Sequence, residues 1–247
     1  MALIEFKNVV KKFGGAKVLD DISFCVDQGE VLCIVGTSGV GKSVLLKHIV
    51  RLLSPTSGDV LVDGTNVVTC DDQTLYKVRS RMGYLFQSGA LLAWKTVAEN
   101  VSLPLEECTD LSDDEISKRV VAALKEVGLD SSAHKYPAEI SGGMQQRAGL
   151  ARAIVRQADI VLYDEPTSGL DPVTSANINS LIKRLAKTRG ITSIVVTHDL
   201  PGALGMADRI MLLSNARIVF CGTPSEFLKT DLDQAKAFIA ASKGIVL

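Results

Sequence analysis

The sequence predicts an α/β fold with a mostly parallel central sheet, an N-terminal antiparallel β region and an inserted α-helical subdomain. Residues 2–35 contain short apolar runs with the alternation that is typical of strands. Helical periodicity replaces these runs between residues 88 and 157. From residue 158 onward, short apolar runs and amphipathic helices alternate again, which is the pattern of a parallel sheet with crossover helices.

The chain of 247 residues is long enough to form one domain with a large core. We expect a core subdomain at 1–87 and 158–227, a helical subdomain at 88–157 and a C-terminal helical tail at 228–247. The tail is predicted to be one helix followed by a short apolar end at 245–247.

Composition argues against several classes of protein. The net charge of −1 gives no reason to expect a nucleic acid as partner. We find no apolar run near the roughly 18–20 residues that span a bilayer, and no signal peptide. Five cysteines without a C-x-x-C pair argue against a metal site built from Cys or His. We expect a soluble protein exposed to a reducing cytoplasm.

Capping and turn signals set further boundaries. Pro104 is predicted to break the first helix of the helical subdomain. A capping box that starts at Ser112 opens a second helix, which should end at Gly128, and another capping box starts at Thr223. The other predicted elements are strands at 31–35, 59–62, 82–86, 160–163 and 192–196, a hairpin at 210–213 and 217–220, and helices at 44–50, 72–81 and 177–188.

A glycine-rich loop stands between the apolar run at 31–35 and the helical stretch at 44–50. It has the pattern G-x-x-x-x-G-K-[ST], whose glycines let the backbone wrap a phosphate group. The N–H groups at the helix start hold the anion. We expect Lys42 to reach the β- and γ-phosphates of a nucleotide, and Ser43 to bind Mg²⁺. The predicted nucleotide contacts in this segment are Gly36, Thr37, Ser38, Gly39, Val40, Gly41, Lys42, Ser43 and Val44.

Polar residues follow three further predicted strands. Asp164 and Glu165 follow the run at 160–163, His198 follows the run at 192–196, and Gln87 closes the run at 82–86. Ligands of open α/β sheets bind at the carboxyl ends of the strands, so we expect these residues to meet the glycine loop. Asp164 and Gln87 are candidate Mg²⁺ ligands, and Glu165 is placed to deprotonate the attacking water. A solvated turn at 164–165 and an ordinary core or surface histidine are the alternatives.

A second anion site is predicted at Ser141, Gly142 and Gly143, which open a helix with a serine N-cap. One chain does not need two phosphate cradles for one nucleotide, so we expect a second copy of the chain to complete the site. Phe13, next to two glycines, is either a core residue or an exposed ring that stacks on a base.

These segments resemble the motifs of the ATP-binding cassette (ABC) ATPases over nearly the whole chain. Residues 36–43 resemble Walker A, 141–145 the signature motif and 160–165 Walker B. Gln87 resembles the Q-loop residue, Asp171 the end of the D-loop, and His198 the switch histidine. The resemblance implies that Lys42, Glu165 and His198 are catalytic, that Phe13 stacks on adenine, and that two chains sandwich each ATP head to tail. It also implies that residues 88–157 meet a membrane partner.

Shorter stretches around 86–92, 97–105 and 171–175 resemble the ATPases of Mla/MCE-type lipid transporters. That resemblance implies phospholipid transport between bacterial membranes, a permease, an MCE-domain lipid-binding protein and, in some complexes, a small regulatory protein. The subunit would lie at the cytoplasmic face of the inner membrane, attached through its permease. Trp94 is the candidate permease contact, with a place in the core of the helical subdomain as the alternative.

Two alternative functions also fit these motifs. One is an ABC ATPase for import of a polar amino acid or another small solute. The other is a soluble ABC protein that acts on DNA or the ribosome. Relatives of the second kind usually carry two cassettes, long coiled-coil insertions or basic arms, and we find none of these in the sequence.

Overall fold

The computed structural model describes residues 2–243, so the predicted apolar end at 245–247 lies outside it. The strands are β1 (Ala2–Phe13), β2 (Ala16–Asp27), β3 (Val31–Val35), β4 (Ser57–Val62), β5 (Thr65–Asn66), β6 (Met82–Leu85), β7 (Ile160–Asp164), β8 (Thr192–Thr197), β9 (Arg209–Ser214) and β10 (Arg217–Gly222). The helices are α1 (Lys42–Ile49), α2 (Asp72–Ser80), α3 (Val97–Cys108), α4 (Asp113–Glu126), α5 (Gly142–Ile154), α6 (Pro172–Arg189), α7 (Leu200–Met206), α8 (Pro224–Lys229) and α9 (Asp233–Lys243).

The larger sheet has the strand order β10-β9-β3-β8-β7-β6. β3 pairs in parallel with both β8 and β9, and β7 pairs in parallel with β8 and β6. Every residue of β3, β7 and β8 is buried, because parallel sheets are covered on both faces. The mostly parallel central sheet and its closing β9–β10 hairpin are therefore confirmed.

The smaller sheet has the order β2-β1-β4-β5 and is antiparallel. Alternation along β3 shows how the layers stack. Leu32 and Ile34 pack into one apolar cluster with residues of the antiparallel sheet and α1, while Cys33 packs into a second cluster with residues of α3, α4, α5 and α6. The parallel sheet is thus the middle layer, and its strand ends are held rigidly from both sides.

The predicted break at Pro104 is wrong. α3 runs through Pro104 to Cys108. Proline removes one hydrogen bond from a helix interior, but Val101 and Leu105 on either side of it are fully buried. We attribute the continuity of α3 to this packing. The predicted capping boxes at Ser112 and Thr223 are both present.

Other differences are smaller. α6 begins at Pro172 rather than at residue 177, because the carboxylate of Asp171 caps it. α7 and the short β5 were not predicted. Phe13 is the last residue of β1 rather than part of a loop, and it is exposed.

Candidate nucleotide site

The glycine loop joins β3 to α1 in the predicted order, and two of its glycines are required by the backbone. Gly41 has φ +106° at the N-cap of α1, a conformation that L side chains rarely adopt. A Cβ on Gly36 would lie 2.4 Å from the carbonyl oxygen of Leu213 in β9. The loop therefore lies directly against the neighbouring strand, and larger residues are excluded there.

Lys42 is directed into this loop. Its side chain is only 6% exposed, and Nζ donates to the carbonyl oxygens of Gly36 at 2.9 Å and Thr37 at 3.1 Å. The same Nζ lies 3.3 Å from Oε1 of Glu165. A positive charge is thus held at the centre of the loop, where a phosphate needs it.

Ser43 and Asp164 meet although they are 121 residues apart, because Oγ of Ser43 donates to Oδ1 of Asp164 at 2.6 Å. The hydroxyl of Tyr84 donates to the other oxygen, Oδ2, at 3.2 Å. A hydroxyl and a carboxylate, with the amide oxygen of the nearby Gln87, form the oxygen donor set that suits Mg²⁺. No cluster of three or more His, Cys, Asp or Glu within 2–243 is arranged to hold a metal by itself.

Glu165 and His198 form the second pair at the sheet edge. Glu165 has a positive φ of 49°, and its N–H donates to the carbonyl of Val196 at 2.9 Å. Its Oε2 then lies 2.7 Å from Nδ1 of His198 and accepts the backbone N–H of the same residue at 3.2 Å. The turn after β7 therefore points this carboxylate at the end of β8 and at Lys42.

One cavity of about 460 Å³ is lined by Lys42, Glu165 and His198. Phe13 also lines this cavity and has 46% of its surface exposed. Nζ of Lys11 lies 5.0 Å from the centroid of its ring. Gln87 also reaches the cavity, where its Nε2 lies 3.4 Å from Oγ of Ser168. The lining residues are Phe13, Val18, Ser38, Gly39, Gly41, Lys42, Ser43, Val44, Gln87, Glu165, Ser168 and His198.

Ser141 and Gly143 do not line this cavity. They line a separate one, of about 430 Å³, with residues of α5 and α6. Oγ of Ser141 accepts the N–H of Met144 at 3.3 Å and so caps α5. A Cβ on Gly143 would lie 2.4 Å from the side chain of Thr174, so close packing on α6 requires this glycine.

Asp171 is likewise engaged within its own chain. Its Oδ1 accepts the N–H groups of Val173 and Thr174, each at 3.0 Å. Hydrogen bonds from Thr174 hold the pKa of this exposed carboxyl below its usual range. The structure therefore brings Phe13, Gln87, Glu165 and His198 to the glycine loop, and leaves 141–143 and 171 outside the cavity.

Three residues near the loop were not predicted as site residues. Val18 and Ser168 line the cavity, and Tyr84 holds Asp164. Ser168 lies three residues after Glu165, in the turn that follows β7. Its place near the site could therefore have been predicted from this short spacing. Tyr84 pairs with Leu162 across β6 and β7, and such cross-strand pairing carries no local signal in the sequence.

None of the helices within residues 2–243 combines the length and the apolar character needed to cross a membrane. Trp94 is 73% exposed, so the alternative of a core tryptophan is wrong.

Residues 19–168 match the protein family that is described as "ABC transporter". The chain is 41% identical over 228 residues to the "Intermembrane phospholipid transport system ATP-binding protein MlaF" of Haemophilus influenzae, covering 92% of this chain and 86% of that protein. It is 40% identical to MlaF of Escherichia coli K12, covering 90% and 82%. The "Probable ribonucleotide transport ATP-binding protein mkl" of Mycobacterium tuberculosis H37Rv is 38% identical, covering 96% and 66%.

The fold is also that of solved ABC cassettes. The dimeric post-hydrolysis structure of the cassette MJ0796 bound to ADP and Pi superposes with a TM-score of 0.81 at 35% identity, covering 90% of this chain and 98% of that one. The structure of cbiO1 from Clostridium perfringens has a TM-score of 0.84 at 28% identity, covering 97% and 98%. The glycine loop, its buried lysine and the carboxylates at the strand ends agree with these matches. The chain therefore belongs to the ABC transporter family and is one of that family's ATPases.

Proposed function

We propose that this chain is the ATP-hydrolysing subunit of an ABC transporter that moves phospholipid between bacterial membranes and maintains outer-membrane lipid asymmetry. The observation that carries the enzymatic part is that Lys42 and Glu165 line one cavity together with Ser43, which donates a hydrogen bond to Asp164. Sequence identity of 41% and 40% with two MlaF proteins supports the assignment of phospholipid as the cargo.

In this proposal the glycine loop holds the phosphates of ATP through its N–H groups and Lys42, and Phe13 stacks on the adenine. Nζ of Lys42 then exchanges the two carbonyl oxygens that it contacts for phosphate oxygens. Ser43, Asp164 and Gln87 would hold Mg²⁺, which, when bound, neutralises negative charge on the phosphates.

Glu165 is the general base of the proposed reaction. Its carboxylate takes a proton from a water molecule, the water oxygen bonds to the γ-phosphorus, and the bond to the bridging oxygen of ADP breaks. His198 contacts Glu165 at 2.7 Å and so fixes the direction of this carboxylate. We assign His198 a second contact, with the γ-phosphate.

A second copy of the chain would complete the site. Ser141, Gly142, Gly143 and Asp171 lie outside the cavity of their own chain, so we assign them to the ATP held by the partner copy. The relative MJ0796 was solved as a dimer, which supports a head-to-tail sandwich. ATP would close this dimer, and hydrolysis would reopen it.

Transport requires partners that cross the membrane. We propose a core subdomain at 1–87 and 158–227, a helical subdomain at 88–157 that meets a permease, and a C-terminal tail at 228–247. The exposed ring of Trp94 is the proposed permease contact. An MCE-domain lipid-binding protein and a small regulatory protein complete the proposed complex, with this subunit at the cytoplasmic face of the inner membrane.

The relatives also offer a second candidate cargo. The mycobacterial mkl proteins, at 38% identity, are named for ribonucleotide transport. Polar amino-acid import and a non-transport role are the weaker alternatives, since neither is named among the relatives described above.

Purification of the tagged chain from bacterial membranes tests the proposal. We expect a permease and an MCE-domain protein to co-purify, and the complex reconstituted in liposomes to move fluorescent phospholipid only with hydrolysable ATP. Transport of a labelled ribonucleotide instead would contradict the lipid assignment. Association with DNA or ribosomes instead of membranes would contradict the transporter assignment.

A further inference from the structure

The carboxylate of Asp164 is held by two hydroxyl groups, one on each oxygen. Ser43 donates to Oδ1 at 2.6 Å, and Tyr84 donates to Oδ2 at 3.2 Å. Two donors on opposite oxygens resist rotation of a carboxylate about its last side-chain bond, which a single donor does not. The plane of this carboxylate is therefore fixed by a residue of α1 and a residue of β6.

The hydroxyl of Tyr84 is suited to donate. A phenolic hydroxyl carries a proton that it can donate, whereas an ionised carboxylate can only accept. Tyr84 is therefore the donor of this charge-assisted hydrogen bond.

The ring that carries this hydroxyl is itself fixed. It stacks on Phe86 with ring centroids 4.2 Å apart and an interplanar angle of 26°. Both rings line a groove of about 390 Å³ together with Leu103 and Pro104 of α3 and Arg152 of α5. Tyr84 therefore touches both this groove and the carboxylate at the nucleotide site.

We propose that Tyr84 is a positioning residue for Mg²⁺, acting through its hydrogen bond to Asp164. This inference rests on the proposed function, in which Asp164 and Ser43 hold the ion. Without the hydroxyl, Oδ2 of Asp164 is free to rotate away, and part of the metal's contribution to nucleotide binding is lost. Nucleotide binding without metal does not depend on this hydrogen bond.

The test compares nucleotide affinity with and without metal. The dissociation constant of a fluorescent, non-hydrolysable ATP analogue is measured in excess Mg²⁺ and again in EDTA, and the EDTA value is divided by the Mg²⁺ value. We expect Tyr84→Phe, which keeps the ring and its stack, to lower this ratio about five- to tenfold, the usual net effect of one intramolecular hydrogen bond. Its dissociation constant in EDTA should stay at the wild-type value.

Tyr76→Phe is the matched control. The hydroxyl of Tyr76 lies 3.4 Å from the carbonyl of Cys108, and this half-exposed residue does not line the cavity of the glycine loop. We expect it to keep the wild-type ratio. Thermal unfolding of each variant shows whether it is folded, and Tyr84→Met replaces Tyr84→Phe should the latter unfold.

Asp164→Asn separates the two ways in which the inference can fail. If Asp164→Asn lowers the ratio and the Tyr84 variant does not, the positioning role is wrong while the metal site stands. If Asp164→Asn keeps the wild-type ratio, the metal assignment of the proposed function is itself wrong. A lowered ratio in both variants, with Tyr76→Phe unchanged, supports the inference.

Discussion

Nδ1 of His198 lies 2.7 Å from Oε2 of Glu165, although 33 residues separate the two in the chain. Oε1 of the same carboxylate lies 3.3 Å from Nζ of Lys42. Glu165 is therefore the residue that joins the loop after β3, the turn after β7 and the end of β8 into one site.

Replacement of the proposed base tests its role. We expect Glu165→Gln to bind ATP but to hydrolyse it about 10²- to 10⁴-fold more slowly, because the amide cannot accept the proton of water. ATP-bound dimers should accumulate, as measured by size-exclusion chromatography. Glu106→Gln, at an exposed position of α3, is the control with wild-type turnover. Wild-type turnover of Glu165→Gln would contradict the base assignment.

Mixing two inactive variants tests whether a second copy completes the site. We expect Lys42→Ala to lose most nucleotide binding, since a buried charge beside the phosphates is removed. Ser141→Arg should keep binding but lose hydrolysis. A mixed dimer contains one site with both wild-type residues, so combining the two proteins should restore part of the activity.

Two measurements control this experiment. Lys47→Ala, on the exposed side of α1, should bind ATP normally. Each variant mixed with itself should stay inactive. Hydrolysis by Ser141→Arg alone would count against the sandwich.

The exposed tryptophan tests the membrane contact. Trp94 is 73% exposed, and burial of a large aromatic ring contributes strongly to an interface. We expect Trp94→Ala to reduce co-purification of the permease without a change in the thermal unfolding midpoint. Tyr136→Ala replaces another exposed aromatic residue, after α4, and should leave assembly unchanged. Equal assembly of the Trp94→Ala and wild-type chains would refute this contact.

Acid should weaken the fold through His48. This residue of α1 is 1% exposed, and burial lowers its pKa to about 4. An unfolded histidine titrates near ~6.5, so the unfolded chain takes up this proton first as the pH falls. Stability is therefore lost progressively below about pH 6.5, down to about pH 4.

Urea unfolding at about pH 7.5 and pH 5 measures this effect. We expect the wild type to lose about 2 kcal/mol more stability on acidification than His48→Leu does. The exposed His134 supplies the control, because His134→Leu should retain the wild-type pH dependence. An identical loss in His48→Leu and the wild type would show that His48 does not carry the effect.

Much of the fold could be predicted because its signals are local. The parallel strands are short apolar runs, and capping boxes at Ser112 and Thr223 mark helix starts by side chains three residues apart. The break at Pro104 was predicted wrongly because proline is a local signal as well, and here the buried neighbours Val101 and Leu105 override it.

The sequence by itself determined the α/β fold class, the glycine loop with Lys42 and Ser43, and the strand ends where Asp164, Glu165 and His198 stand, because each depends on residue type and short spacing. Only the tertiary structure decided which of these groups touch. The hydrogen bond of Tyr84 to Asp164 and the separation of Ser141 from the glycine loop follow from strand order and helix packing. Those contacts join residues far apart in the chain, so no local pattern encodes them.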